Sequence, residues 1–128
     1  MPIAITNQIQ IEVETFYNGE QPDEGRICRM FAYRIRISNL GDFTVKLLRR
    51  HWTIIDPLYE DLEVEGEGVV GQQPVLEPGE VFRYTSGCAI ESTIGMMKGT
   101  YQMERILDGK IIDVEIPAFN LIAPYQLN

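Results

Sequence analysis

Between Met30 and Ser38, Phe31, Tyr33, Ile35 and Ile37 fall at every second position, with Ala32, Arg34 and Arg36 between them. Only an extended strand sends alternate side chains to opposite faces, so this stretch buries one face and hydrates the other. The same period runs from Gln8 to Tyr17, where Ile9, Ile11, Val13 and Thr15 alternate with Gln8, Gln10, Glu12 and Glu14. No window sustains the 3.6-residue apolar period of a helix, and the chain reads as all-β.

Further strands follow between turn signals. Asn18 to Gly25 is polar and turn-rich, and Asn39-Leu40-Gly41-Asp42 is a turn. Phe43 to Ile55 is rich in β-branched and aromatic residues, but adjacent Leu47 and Leu48 break its alternation. A β-bulge there would turn Trp52 and Ile54 inward. Asp56-Pro57 ends that strand, Leu62 and Val64 mark a short one, and residues 66–74 form a glycine-rich loop. Pro78-Gly79 fits the middle of a type II turn, and a strand runs from Val81 to Thr85, with Thr85-Ser86-Gly87 closing it in a turn. Ile94 to Leu107 puts Met97, Gly99, Tyr101 and Met103 on one side, and Asp108-Gly109 joins it to Lys110 to Ile116. The tail beyond Pro117 is an edge strand or an extension over the core. About seven or more antiparallel strands with regular turns point to a β-sandwich, and 128 residues suffice for one core, giving a single domain over 1–128.

Charge and composition exclude several functions. A formal net charge of −8 opposes nucleic acid, whose affinity comes from Lys and Arg displacing counterions. No apolar run is long enough to cross a bilayer, and Met1 to Thr6 lacks the basic start of a signal peptide, so a cytoplasmic location without membrane insertion is expected. Cys28 and Cys88 are too few for a disulfide framework.

The chemistry-bearing residues cluster around the middle of the chain. Gly66-x-Gly68-x-x-Gly71 has the spacing of a dinucleotide fingerprint, but Pro74 and Pro78 forbid the helix that would follow, leaving a tight loop or a nest of amide groups. His51 is the only histidine, so a zinc site is not expected; Asp61, Glu63, Glu65 and Glu67 would share one strand face, able to meet a hard cation or simply to hydrate an edge. Ser86, Cys28 and Cys88 are the candidate nucleophiles and His51 the only imidazole base, with no nucleophile-elbow motif, so no catalytic centre or cofactor is expected. Arg49, Arg50 and His51 form one basic cluster, with Arg50 on the face of Trp52. A bidentate pair of one of these arginines with an acid such as Glu67 would tie this strand to the glycine loop. Arg49, Arg50, His51, Glu67, Gly66, Gly68 and Gly71 are therefore the candidate binding residues, a docking surface for an acidic or phosphorylated partner.

Four blocks carry a family resemblance. Leu47-Leu48-Arg49-Arg50-His51-Trp52-Thr53-Ile54-Ile55-Asp56 resembles the signature strand of the ApaG family. Residues 66–80, from Gly66-Glu67-Gly68-Val69-Val70-Gly71 to Pro78-Gly79-Glu80, resemble its glycine-rich block, Phe82-Arg83-Tyr84-Thr85-Ser86-Gly87 its next strand, and Gly95-Met96-Met97-Lys98-Gly99-Thr100-Tyr101-Gln102-Met103 the one after. The resemblance as a whole reaches from about Pro22 to Phe119. Asp56-Pro57-Leu58-Tyr59 and Ile94 depart from the family pattern, both at loops. The resemblance implies an immunoglobulin-like or fibronectin type III-like sandwich. It also implies a non-enzymatic protein-interaction module linked indirectly to cobalt and magnesium homeostasis, acting as monomer or homodimer with a protein partner. The alternative is a small-ligand sensor that binds a divalent metal or a phosphorylated metabolite through the glycine loop.

Overall fold

A computed structural model describes residues 1–124; residues 125–128 of the expected 1–128 domain lie outside the described residues. One sheet runs in the order β1 (Ile3–Thr6), β2 (Ile9–Asp23), β3 (Arg26–Asn39) and β7 (Val81–Ile90). The other runs β5 (Leu62–Glu67), β4 (Val45–Ile55), β8 (Ile94–Arg105) and β9 (Ile111–Ile122), with the short β6 (Val75–Leu76) paired separately to β4. All pairings are antiparallel. The two sheets face each other as a fibronectin type III-like sandwich.

The alternation read from the sequence fills the space between them. Ile9, Ile11, Val13, Phe31, Tyr33, Ile35 and Ile37 are buried from the first sheet, and Val45, Leu47, Trp52, Met97, Tyr101, Met103, Val114 and Ile116 from the second. Trp52 is the aromatic bridge: its ring lies 5.3 Å from that of Tyr33 on the opposite sheet and 5.9 Å from Phe119, and Tyr33 meets Phe119 at 5.6 Å. Such tilted and edge-to-face contacts add roughly 0.5–1.5 kcal/mol each beyond the area they bury.

Several strands exceed their expected limits. The polar stretch from Asn18 is the arm of a long β2–β3 hairpin, interrupted by a bulge after Tyr17 and closed by Glu24-Gly25. β7 continues through Ser86 and Gly87 to Ile90, so the expected turn at Thr85 is absent. β9 runs through Pro117 into the tail, and Pro117 falls where the β8–β9 register shifts, at a sheet edge, the setting in which a strand tolerates proline. β1 and β6 had no counterpart among the expected strands. The turn at Pro78-Gly79 is as expected: Glu80 donates to the Glu77 carbonyl at 2.9 Å and Gly79 has φ +87°.

Two polar side chains fasten the sheets where the chain crosses between them. Asn39, buried at the end of β3, donates to the carbonyls of Phe43 and Leu76 at 2.8 and 3.0 Å and accepts from the Gly41 amide at 3.0 Å. At the far end of β4, Asp56 accepts from the Leu58 amide at 3.1 Å and from the Glu91 amide just past β7 at 2.9 Å. Burial alone would push the Asp56 carboxyl up, but bonds from Ser92, Glu91 and Leu58 outweigh it and hold the group below its usual range.

Replacing Asp56→Ala is expected to cost about 1–2 kcal/mol, discounted for its partial exposure. A depressed folded-state pKa makes this contribution complete above the ordinary carboxylate range, and it drains away as pH falls through the folded value. Urea unfolding of both proteins from neutral to acid pH should show the difference shrinking. A constant difference would refute the assignment.

Candidate functional site

The site is set by one inserted residue. β4 pairs with β8 at Leu47↔Met103 and again at Arg49↔Gln102, leaving Leu48 unpaired as a bulge. The insertion shifts the phase of β4, so that after inward Val45 and Leu47 the strand turns Arg50, Trp52 and Ile54 inward and Arg49, His51 and Thr53 outward. The bulged Leu48 carbonyl accepts from the Gly68 amide at 2.8 Å and from Gln73 Nε2 at 3.0 Å, anchoring the glycine loop.

That loop is a tight hairpin. Val69 and Gln72 exchange two backbone hydrogen bonds, at 2.8 and 2.9 Å, across Val70 and Gly71, whose φ values of +42° and +79° give the type I′ sign at both central positions. Val69 is fully buried, whereas Val70 is 51 % exposed at the tip. Left-handed backbone at a β-branched residue is strained.

The three motif glycines serve three separate purposes. Gly66 stands opposite Arg50, and a Cβ there would lie 2.9 Å from both guanidinium Nη atoms, so its lack of a side chain makes room for the cation. Gly68 has φ +61°, and a Cβ would collide with the Gln72 carbonyl. Gly71 completes the turn. No helix follows, which removes the dinucleotide reading, and the amides of Gly68, Val69 and Gln72 are already bonded to carbonyls and so are not free to meet an anion.

Arg50 does not pair with the Glu67 carboxylate, contrary to the expected bidentate bridge. Its Nη1 donates to the backbone carbonyls of Glu67 and Gly68, each at 3.0 Å. Glu67 stands opposite Arg49 in the register, and strand alternation points their side chains to the outer face. The tie between strand and loop exists, but carbonyl oxygens make it. Among the described residues, no carboxylate oxygen lies within 4.0 Å of the Arg50 guanidinium.

Around Arg50 lies a cavity of about 290 Å³, lined by Tyr33, Trp52, Tyr84, Ser86 and the Val70-Gly71 turn, with Glu67 also on its wall. Tyr84 and Tyr101 hydroxyls are hydrogen-bonded to each other, and Tyr33 and Ser86 share the cavity wall. Burial pushes all three phenols above their ordinary range, keeping them protonated. Sequence reasoning missed these hydroxyls; the signal was available in tyrosines at inward positions, whose O–H groups need partners.

The remaining candidates lie elsewhere. His51, on the outer face, meets Glu63 Oε2 at 2.5 Å and Glu65 Oε1 at 3.8 Å, while Thr53 donates to Glu63 at 3.0 Å. Glu63 and Glu65 of the acidic row thus meet cross-strand partners, and among the described residues no group of three or more His, Cys, Asp or Glu converges to hold a metal. Ser86 and Cys88 face the interior, with sheet two between them and His51, so the imidazole cannot serve either as base. Burial also pushes the Cys88 thiol up to about 11, out of the thiolate range. The structure therefore brings Arg50, Gly66, Gly68, Gly71 and the Glu67 carbonyl together and leaves the side chains of Arg49 and His51 on the outer face.

The chain matches known proteins in family model, sequence and structure. The ApaG domain model matches residues 19–105. The protein ApaG of Paramagnetospirillum magneticum is 47% identical over 121 residues, 94% of this chain and 92% of that one. The protein ApaG of Anaeromyxobacter dehalogenans is 44% identical over 128 residues, the whole of both chains. A crystal structure of an ApaA protein from Bordetella pertussis superposes with a TM-score of 0.82 at 41% identity, covering 96% of each chain. Among the described residues no helix is long and apolar enough to cross a membrane.

The strained turn yields a direct expectation. Val70→Asn places a residue that tolerates left-handed backbone ahead of Gly71 and should stabilise the protein by about 1 kcal/mol. Thermal unfolding measures it, and a lowered midpoint would show that the valine side chain makes compensating contacts.

Proposed function

The chain belongs to the ApaG domain family, and from that premise we propose that it works as a non-enzymatic protein-interaction module in the cytoplasm, built as one unit over residues 1–128. The observation that carries this reading is the placement of the Arg50 cavity. It opens between two sheet edges, β7 and β5, beside an exposed and strained Val70. Unpaired edges and strained surface residues beside a charged recess are features that recognition uses. The separation of His51 from Ser86 and Cys88 supports the non-enzymatic half, since the imidazole is out of reach of both of those candidate nucleophiles. A link to cobalt and magnesium homeostasis is then indirect, through the partner.

A second reading, a sensor for a phosphorylated metabolite, draws on the same cation-lined cavity; the divalent-metal version has little support, given the absence of a convergent donor set among the described residues.

Affinity capture with the full chain, compared with Arg50→Glu and Val70→Asp variants, tests the first reading. A defined partner should be retained by the wild type and lost by both variants. Identical capture by all three would count against the surface. Calorimetry with Mg²⁺, Co²⁺ and nucleotides decides the second reading, which fails if millimolar ligand releases no heat.

A further inference from the structure

The Arg50 side chain has a chemical valence left open. Both hydrogens of Nη1 are used by the carbonyls of Glu67 and Gly68. The three other N–H groups, on Nε and Nη2, have no protein acceptor among the described residues and form the edge of the guanidinium that matches two oxygens side by side. Hydroxyl donors beside it are also to spare: Tyr84 and Tyr101 spend one O–H on each other and keep one, and the hydroxyls of Tyr33 and Ser86 line the same wall. The recess thus offers one positive charge and a surplus of donors.

We propose that this cavity receives a single carboxylate, an Asp or Glu side chain carried on an extended segment of a partner protein. The inference rests on the interaction-module reading and supplies the chemistry of its site. Charge balance selects the carboxylate. One recessed cation neutralises one negative charge, whereas a phosphate monoester brings about −1.5 to −2 and leaves part of it uncompensated in a poorly solvated place. The surrounding protein, at −8 overall, repels multiply charged anions further. The edges select a peptide over a free acid. Tyr84 and Ser86 belong to the edge strand β7 and Glu67 to the edge strand β5, so a segment entering between them meets unpaired backbone groups. Val70, exposed at the mouth, supplies an apolar contact. A partner segment with basic residues flanking its acid would be drawn by the acidic exterior as well.

Trp52 is the only tryptophan and lines the cavity, so its fluorescence reports occupancy of the full chain without a label. The probes are an acetylated, amidated five-residue peptide with a central glutamate between valines and lysine ends, its glutamine counterpart, and inorganic phosphate. The glutamate peptide should change the emission saturably, and the glutamine peptide should bind roughly tenfold or more weakly, the loss expected for a charge-assisted pair. Arg50→Gln should erase that preference. Gly66→Ala, which keeps the charge but displaces the guanidinium, should also reduce it, and it serves if the first variant fails to fold by circular dichroism. Equal binding of the two peptides, no saturable binding, or phosphate binding more tightly than the glutamate peptide would each overturn the carboxylate assignment. The capture experiment would still stand or fall separately, because it reads partner retention and not anion preference.

Discussion

The extra residue at Leu48 governs the structure more than any single contact. A strand has two faces and a period of two, so one insertion exchanges them for everything downstream. Upstream, Val45 and Leu47 face the core; downstream, Trp52 continues that core and Arg50 enters it. Without the insertion, Arg49 and His51 would point between the sheets, where neither aromatic bridge nor loop anchor could form. The bulged carbonyl is not wasted, since it holds the glycine hairpin in place through Gly68 and Gln73. Core packing, cation placement and loop geometry thus share one origin.

Much of this was legible in the sequence, because burial writes period two directly into residue types. Phe31 to Ile37, Ile9 to Val13 and Met97 to Met103 needed no further information, and the pair Leu47-Leu48 announced the bulge. The hairpin turns were harder. Asn7-Gln8, Glu24-Gly25 and Val70-Gly71 all have positive φ at both central residues, yet none is the Asn-Gly or Asp-Gly pair that marks such turns in sequence. Tertiary pairing imposes the conformation there against local preference. This hid β1 and turned the Asn18 to Gly25 stretch into an apparent loop. Thr85-Ser86-Gly87 misled in the opposite direction, because pairing with β3 carries small polar residues through a strand that their own propensities would end.

The candidate site was located but not resolved. Spacing identified the glycines and the basic cluster, and alternation sorted Arg50 from Arg49 and His51. What spacing cannot convey is which atoms of a residue are used: Glu67 was expected to contribute its carboxylate and contributes its carbonyl instead. That difference is chemically large. An ion pair would have closed the site, whereas carbonyl acceptors fix the guanidinium in position and leave its charge standing.

Gly66 and Arg50 are sterically one unit. A methyl group at position 66 would sit 2.9 Å from the guanidinium, so that position cannot drift while the arginine stays where it is. Shortening residue 50 would in turn empty the space the glycine protects and release the carbonyls of Glu67 and Gly68. Each residue sets the substitutions open to the other across the β4–β5 pair.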